Sequence, residues 1–366
     1  MKKNAVLTAI ALSGLAVGGM MLLGYSSAAP KTVAVKLQLK WFPQAQFAGY
    51  FAAVSRGYFK DEGLDVTLIP SGDANPVQAV VSGAADFGTT WITDFLVNRE
   101  KGQKIVHIGQ MFQKSGFTLV SLKDSNINTV ADLKGKKVGV WPGGNEYPVI
   151  ALLKTAGLTS SLDASVASPD VTAVTFPFDP AIVFPDKVDA VSAMTYNEVN
   201  QIIGLGYPLG KLNVMKLSDN GINLLEDLMF APEKVLSEKN FKGSGMKGSE
   251  IAAKLLRASI KGWNWAVRNQ GAAVDIVLAK CGNTCKGSGS IDARGHQTWQ
   301  MAEITKLYMA GPTLKGYAGY LDPEAYKASV KILRDQGILK SDPDKGAVDW
   351  SIWEKATGKK AGMMMK

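Results

Sequence analysis

The chain has 366 residues, of which 46% are hydrophobic and 20% are charged. This length is enough for about two domains and the composition is that of a globular protein, so a stapled miniprotein, a disordered chain and a polytopic membrane protein are excluded. The 41 Lys and Arg residues outnumber the 32 Asp and Glu residues and give a net charge of +9. That charge fits a nucleic-acid partner, a membrane surface or solubility alone, so it selects no function by itself.

The first 28 residues have the pattern of a secretory signal peptide. Lys2 and Lys3 precede an apolar stretch from Ala5 to Leu23, and small residues follow up to Ala29. Cleavage is predicted after Ala28; an uncleaved anchor is the alternative, which the glycines of the apolar stretch disfavour. Because no cysteine lies near the cleavage point, the expected product is a soluble periplasmic or extracytoplasmic protein without a lipid anchor.

The segment that follows alternates strands and helices. Alternating apolar and polar residues predict its first strand, and Gly57 predicts the end of the first helix. The predicted elements are strand 35–40, helix 47–56, strand 63–69, helix 76–82, a short strand at 86–88, helix 92–101, and strands 104–109 and 117–122. This order predicts an α/β fold with a mostly parallel sheet.

A polar stretch from Lys123 to Asn128 predicts the passage into a second, smaller α/β domain. Its predicted strands are 136–140, 171–176, 190–194 and 212–217, with helices that begin near 145, 179 and 197. After a return strand at 226–231 the chain becomes helical, and an apolar stripe at helical spacing is assigned to the core: Ala252, Leu256, Ile260, Trp263 and Val267. The predicted division is a signal peptide (1–28), a first domain (29–122), a second domain (123–225) and a return to the first domain (226–366).

The two cysteines of the chain, Cys281 and Cys285, are separated by three residues. In an oxidising compartment this spacing favours a small disulfide loop, although the sequence does not settle whether the bond forms. A metal site would need two further ligands, and the two histidines, His107 and His296, are interpreted as structural or surface residues. No metal site is therefore expected.

Motifs of several enzyme and nucleic-acid-binding classes are missing. Gly143 and Gly144 precede a predicted helix, but neither the Lys-Ser/Thr pair of a P-loop nor a third glycine follows. The sequence also lacks a G-x-S-x-G elbow, and its basic residues do not alternate with aromatic residues on one element. The sequence therefore predicts no catalytic residue, no cofactor and no nucleic-acid partner.

Aromatic, amide and acidic residues follow four predicted strands. The candidate ligand-binding residues are Trp41, Gln44, Gln46, Tyr50, Trp91, Trp141, Asn145, Glu146, Tyr147, Tyr196, Asn197 and Glu198. Open α/β sheets bind ligands at the carboxyl ends of their strands, and a flat heteroaromatic ligand needs rings to stack on and polar groups at its edges. As alternatives, single aromatic residues are rim residues of the core, and Glu146 and Glu198 complement helix dipoles.

Four segments together carry a family resemblance. They are Lys40 to Tyr50, Gly57 to Val66, Gly83 to Gly88 and Asp132 to Gly139. These segments resemble the thiamine-pyrimidine-precursor family of ABC-importer substrate-binding proteins, which is related to sulfonate, nitrate and taurine binders. The resemblance spans residues 35–231.

The resemblance implies a bilobed type II periplasmic binding protein fold, with two α/β lobes joined by two crossing strands and, here, a helical C-terminal layer. It implies ligand contacts for Trp41, Gln46, Trp91, Glu146 and Tyr196, an ABC permease in the membrane as partner, and a monomer. The segments 143–147, 193–198 and 225–227 look most like the branch associated with riboflavin uptake. The other branch binds formyl-aminopyrimidine or hydroxymethylpyrimidine precursors of thiamine.

Two departures from the family bear on an enzymatic alternative. The fungal relatives that synthesise the thiamine pyrimidine carry a clustered cysteine motif that Cys281 and Cys285 do not match, and they use a histidine where this chain has Gln46. A pyrimidine synthase is therefore not expected. An anion-binding alternative, for a sulfonate or nitrate, predicts a basic cleft, whereas the strand-end loops named above contain no arginine.

Overall fold

The computed structural model describes residues 32–71 and 75–361. The predicted signal peptide lies outside the described residues. Within them, no helix combines the length and the hydropathy that crossing a bilayer requires.

Two five-stranded sheets organise the described residues, and both have the same topology. The first sheet has the strand order β2-β1-β3-β10-β4 and the second β7-β6-β8-β5-β9. The strands are β1 (Val33–Gln38), β2 (Leu64–Ile69), β3 (Phe87–Thr90), β4 (Ile105–Gln110), β5 (Phe117–Leu122), β6 (Lys137–Val140), β7 (Thr172–Thr175), β8 (Ala190–Met194), β9 (Leu212–Lys216) and β10 (Leu228–Pro232). In each sheet the fourth strand in order, β10 or β5, runs antiparallel to its neighbours. The predicted α/β class with mostly parallel sheets is confirmed.

The strand β5 belongs to the second sheet, where it pairs with β8 and β9. The sequence analysis placed these residues at the end of the first domain, because a buried apolar strand has the same pattern in either sheet. The passage between the lobes therefore lies at residues 111–116, before β5, and the polar stretch used as the boundary follows β5 within lobe 2. The other predicted domain limits stay predictions.

Thirteen α-helices lie within the described residues. They are α1 (Ala48–Ser55), α2 (Tyr58–Asp61), α3 (Pro76–Val81), α4 (Ile92–Glu100), α5 (Tyr147–Thr155), α6 (Glu198–Gly204), α7 (Glu233–Ser237), α8 (Gly248–Arg268), α9 (Gln270–Cys281), α10 (Ala293–Tyr308), α11 (Gly311–Leu314), α12 (Pro323–Asp335) and α13 (Trp350–Thr357). The helix predicted near Asp179 is only a 3₁₀ turn, Pro180–Ile182. Pro185 follows closely, and a proline inside a helix removes a backbone donor and clashes with the preceding turn.

Helix α8 fixes the position of α1, which directly follows the first candidate site loop. A Cβ at Gly49 would lie 2.2 Å from the ring of Trp263, and a Cβ at Gly262 would lie 2.2 Å from the carbonyl oxygen of Gly49. The absence of side chains at these two glycines thus allows the two helices to touch. Trp263 is fully buried and stacks on Tyr308 of α10 at 5.4 Å, so the predicted core role of Trp263 is confirmed.

Cys281 and Cys285 are joined in a disulfide with a Cα–Cα separation of 5.5 Å. The bond closes the turn at the end of α9. The hydroxyl of Thr284, inside this turn, lies 2.6 Å from the carbonyl oxygen of Cys281 and 3.2 Å from that of Pro43. The predicted disulfide loop is therefore present and lies against the first site loop.

Candidate functional site

A cavity lies between the two sheets, at the carboxyl ends of their parallel strands. Its lining consists of Lys40, Trp41, Gln44, Gln46, Trp91, Trp141, Asn145, Met194, Tyr196, Asn197 and Glu198. The first five come from lobe 1, in the loops after β1 and β3, and the others come from lobe 2, at the ends of β6 and β8. Nine of the twelve candidate residues from the sequence analysis meet in this one cavity.

An aromatic row crosses the cavity from one lobe to the other. The ring of Phe117, at the start of β5, meets the ring of Trp91 edge to face at 5.9 Å and that of Trp141 at 5.7 Å. Both indoles are buried, with 7% and 4% of their surface exposed. Their Nε1–H groups have no hydrogen-bond partner among the described residues. A buried donor without a partner is costly, so these two N–H groups are suited to hydrogen-bond acceptors on a ligand.

Lys40 brings a buried ammonium group into the cavity. Its Nζ donates to Oδ1 of Asn145 at 3.0 Å and lies 4.4 Å from the ring centroid of Trp91. Burial lowers the pKa of Lys40, while the carboxylates of Asp94 and Asp227 oppose that shift. Lys40 belongs to the first segment of the family resemblance but is not among the predicted ligand-binding residues, because a lysine at the end of an alternating strand has the pattern of a solvated residue. Met194 was missed for the same kind of reason, since it ends an apolar strand.

Glu198 is a buried carboxyl group at the lobe 2 side of the cavity. Its Oε2 accepts the backbone N–H of Met194 at 2.8 Å, and its Oε1 accepts the side-chain amide of Asn197. Burial raises the pKa of Glu198 to about 7, against the opposing effect of these hydrogen bonds. The side chain therefore stabilises the β8 to α6 turn at the same time as it lines the cavity.

Two acidic residues occupy the second crossing segment, just before β10. Oε1 of Glu226 accepts the hydroxyl of Ser115 at 2.7 Å and the backbone N–H of Gly116 at 2.9 Å, so it ties the two crossing segments together. Asp227 has a positive φ of 49° and accepts the side-chain amide of Gln46 at 2.9 Å. Burial raises the pKa of Glu226 to about 8 and that of Asp227 to about 7.

The other three candidate residues do not line the cavity. The ring of Tyr50 is fully buried in the core, where it meets Trp263 edge to face at 5.8 Å. Oε2 of Glu146 turns back onto its own loop and accepts the backbone N–H of Gly144 at 2.8 Å. Tyr147 lies at the start of α5 and lines a separate surface depression. Successive residues of a helix that follows a strand point in different directions around the helix axis. The sequence alone therefore does not show which of their side chains face the cavity.

A second aromatic group, the mouth cluster, consists of Trp41, Phe42 and Phe178. The rings of Trp41 and Phe178 are 5.5 Å apart and those of Phe42 and Phe178 are 5.0 Å apart, all edge to face. Phe178 follows β7 of lobe 2, whereas Trp41 and Phe42 follow β1 of lobe 1. The mouth cluster is therefore a contact between the lobes beside the cavity.

Known proteins share this architecture. The pattern of the family described as NMT1/THI5 like matches residues 44–273. The riboflavin-binding protein RibY of Chloroflexus aurantiacus is 25% identical over 327 residues, which cover 87% of this chain and 85% of RibY. The formylaminopyrimidine-binding protein of Halalkalibacterium halodurans is 25% identical over 248 residues, covering 67% of this chain and 69% of that protein. Several relatives named 4-amino-5-hydroxymethyl-2-methylpyrimidine phosphate synthase match between 24% and 42% of this chain.

Solved structures agree with the fold. The ligand-binding component of an ABC-type import system from Staphylococcus aureus superposes with a TM-score of 0.62 at 13% identity, covering 90% of this chain and all of the other. The chain thus has the bilobed fold of periplasmic binding proteins, as its sequence motifs predict. Since the family pattern matches more than half of the residues, the chain belongs to the NMT1/THI5-like family.

Proposed function

We propose that the chain is the extracytoplasmic substrate-binding component of an ABC importer and that it captures a vitamin-type heteroaromatic ligand, with riboflavin as the first candidate. The lobes close over the ligand, and the closed form then docks on a membrane permease. Closure by movement about two crossing segments is a common way for such lobes to enclose a ligand.

The observation that carries this proposal is the pairing of rings and unpaired donors in one cavity. Trp41, Trp91, Trp141 and Tyr196 supply four aromatic rings. Two of these rings present buried N–H groups without a partner among the described residues. A flat ring system with carbonyl oxygens or ring nitrogens at its edges satisfies both features, because its face stacks and its edge accepts.

The charges of the site do not favour a simple anion. Among the described residues, Lys40 is the one lysine or arginine in the cavity lining, and its ammonium group already contacts Asn145. Glu198 lines the same cavity, and Asp94 and Asp227 act electrostatically on Lys40. A sulfonate or nitrate site normally recruits arginine, lysine or a helix N-terminus without competing carboxylates.

A thiamine pyrimidine precursor is the alternative ligand, since the formylaminopyrimidine-binding protein matches 67% of this chain. Riboflavin is preferred because the match to RibY extends over 87% of the chain. Both ligands present a ring to stack and acceptors at the edge.

Isothermal titration of the purified chain with riboflavin, formylaminopyrimidine, ethanesulfonate and nitrate tests the proposal. We expect saturable binding of riboflavin and no binding of the two anions. Binding of the pyrimidine alone would replace riboflavin by the alternative ligand. If the anions bind and both heteroaromatic compounds do not, the proposed ligand class is wrong.

A pyrimidine synthase is the alternative of a different class. A binding protein returns its ligand unchanged, whereas an enzyme converts it. We expect that mass spectrometry after prolonged incubation with iron and each compound recovers the compound intact. Turnover would contradict the proposed function.

A further inference from the structure

Helix α10 contributes to the site from outside the segment that the family pattern matches. The pattern ends at residue 273, and α10 runs from Ala293 to Tyr308. His296 and Gln300 lie one turn apart on α10 and are buried, with 2% and 0% of their surface exposed. The sequence analysis gave this helix no role beyond a structural layer.

The side-chain amide of Gln300 lies between two residues that line the cavity. Its Nε2 donates to Oδ1 of Asn197 at 2.6 Å and to Oε1 of Gln44 at 3.1 Å. Gln44 belongs to lobe 1 and Asn197 to lobe 2. An amide NH₂ has two hydrogens, and this one has a third neighbour, Nε2 of His296 at 3.1 Å, so it supplies one hydrogen to each lobe when that ring nitrogen is itself protonated.

His296 completes the arrangement from the previous turn of α10. Its Nε2 lies 2.9 Å from Oδ1 of Asn197, and its Nδ1 lies 2.7 Å from Oδ1 of Asn200 on α6. Burial lowers the pKa of His296 to about 4, so the ring is neutral near pH 7. A neutral ring carries one N–H, so it donates to Asn197 or to Asn200 but not to both, and Gln300 donates to Asn197 in either case.

The segment before α10 also contacts both lobes. The carbonyl oxygen of Pro43 in lobe 1 lies 3.2 Å from the Thr284 hydroxyl and 3.6 Å from the Cys285 sulfur. The hydroxyl of Ser288 donates to the carbonyl oxygen of Gln201 in α6 at 3.0 Å. The backbone N–H of Ser290 donates to Gly204 at 2.9 Å. The disulfide loop and the start of α10 therefore form a continuous bridge between the lobes at the base of the cavity.

We propose that Gln300 is a positioning residue that ties Gln44 of lobe 1 to Asn197 of lobe 2, orients both for the ligand and favours the closed arrangement of the lobes. The identity of the ligand rests on the function proposed above, whereas the contact between the lobes does not. Opening the lobes separates the amide from one of its two acceptors. In the open form water hydrogen-bonds to that acceptor, so closure exchanges a hydrogen bond to water for the one from Gln300, with a modest net gain.

The test measures the distance between the lobes directly. Spin labels are attached through Lys187→Cys in lobe 2 and Lys239→Cys in lobe 1, both exposed positions, and electron–electron resonance gives the distance distribution without ligand. Gln300→Met keeps the size of the side chain and removes the donors. We expect it to lower the closed fraction several-fold relative to the parent protein.

The matched control is Tyr308→Phe on the same helix. It removes a buried hydroxyl that donates to Asn264 of α8 at 3.0 Å, a contact within lobe 1. We expect this control to leave the distance distribution unchanged even if it lowers the melting temperature. Gln300→Asn, which keeps an amide but is one methylene shorter, is a second variant if Gln300→Met folds poorly, and we expect the same shift from it.

Riboflavin dissociation supplies the second measurement. We expect Gln300→Met to raise the dissociation rate about tenfold, as the loss of one buried hydrogen bond predicts, while the association rate stays within a factor of two. If both Gln300 variants keep the parent distance distribution, or if the parent itself shows no closed fraction, the proposal is wrong. If the parent does not bind riboflavin, the proposed ligand is wrong, and the ligand-free distances still decide the role of Gln300.

Discussion

Trp41 belongs to both the cavity lining and the mouth cluster. It lines the cavity and also contacts Phe178 across the lobes. We expect Trp41→Ala to weaken riboflavin binding by about 1–3 kcal/mol, by analogy with the stacking of bases on aromatic residues. Isothermal titration measures the change.

Trp265→Ala is the control for this variant, since Trp265 lies on α8 in a different surface groove. It removes an indole of the same size far from the cavity. An unchanged affinity of Trp41→Ala would remove Trp41 from the binding site.

Substitutions at Trp91 and Trp141 distinguish the contribution of ring stacking from that of hydrogen bonding. Replacing either by Phe keeps an aromatic face and removes the buried N–H group that has no partner among the described residues. Each Trp→Phe variant is expected to lower the affinity about tenfold if the ligand accepts from that N–H group. Titration of both variants shows which of the two indoles donates to the ligand, and two unchanged affinities would contradict the donor role.

The sequence could predict ring residues more readily than their polar partners. Trp91 and Trp141 could be selected because each directly follows a strand whose carboxyl end faces the ligand side of the sheet. Gln300 could not be selected, because it lies about 250 residues from Gln44 in the chain and has an ordinary helical context. A long-range contact of this kind has no local pattern.

At the scale of elements, the loops after β1 and β7 hold the lobes together through the mouth cluster. Phe178→Ala removes the lobe 2 ring of that cluster. We expect faster dissociation of riboflavin, by about threefold to tenfold, because an edge-to-face aromatic pair contributes about 0.5–1.5 kcal/mol beyond its buried area. Stopped-flow fluorescence measures the rate.

Tyr207→Ala is the matched control for this variant. Tyr207 is a partly buried aromatic residue of lobe 2 that contacts Phe184 at 5.9 Å, within the same lobe. The dissociation rate of this variant should equal that of the parent protein. Equal rates in both variants would show that the mouth cluster does not hold the lobes closed.

The buried carboxyl group of Glu226 in the second crossing segment is expected to make the stability of the protein depend on pH. The pKa of Glu226 rises to about 8 in the folded protein from a usual value of 4.5. The folded protein therefore binds this proton more tightly than the unfolded chain, and the free energy of unfolding falls as the pH rises toward 8. Burial gives Glu198 and Asp227 shifts of the same sign.

We expect a lower urea midpoint at pH 8.5 than at pH 6.5. Glu226→Gln, which has the shape of the protonated carboxyl group, should show a smaller difference between the two pH values. Glu324→Gln, at an exposed position of α12, should keep the parent difference. If the urea midpoint of the parent protein stays constant or rises between pH 6.5 and pH 8.5, the buried carboxyl groups do not control its stability in this range.

The elements themselves could largely be predicted, whereas their assignment to a lobe could not. The predicted limits of β5 and β8 match the structure because turn residues and polar stretches bound their apolar runs. The lobe of β5 depends on its pairing with β8 and β9, which no local pattern encodes. The predicted helix near Asp179 failed because nearby prolines limit it to one 3₁₀ turn.

At the scale of the whole molecule, two sheets of equal topology direct the carboxyl ends of their parallel strands toward one cavity. Each sheet contains one antiparallel strand, which enters directly after the chain has crossed between the lobes. This arrangement places the crossing segments behind the cavity and the strand-end loops around it. Movement about the crossing segments would then open and close the site without disturbing either sheet.

The central claim is that this cavity holds a heteroaromatic vitamin-type ligand. The most direct test is to express the chain from Ala29 onward, purify and denature it, and identify the released small molecules by mass spectrometry and flavin fluorescence. We expect riboflavin in a near one-to-one ratio with the protein, or saturable binding of added riboflavin if the protein is purified empty. An empty protein that binds neither riboflavin nor an aminopyrimidine would contradict the account.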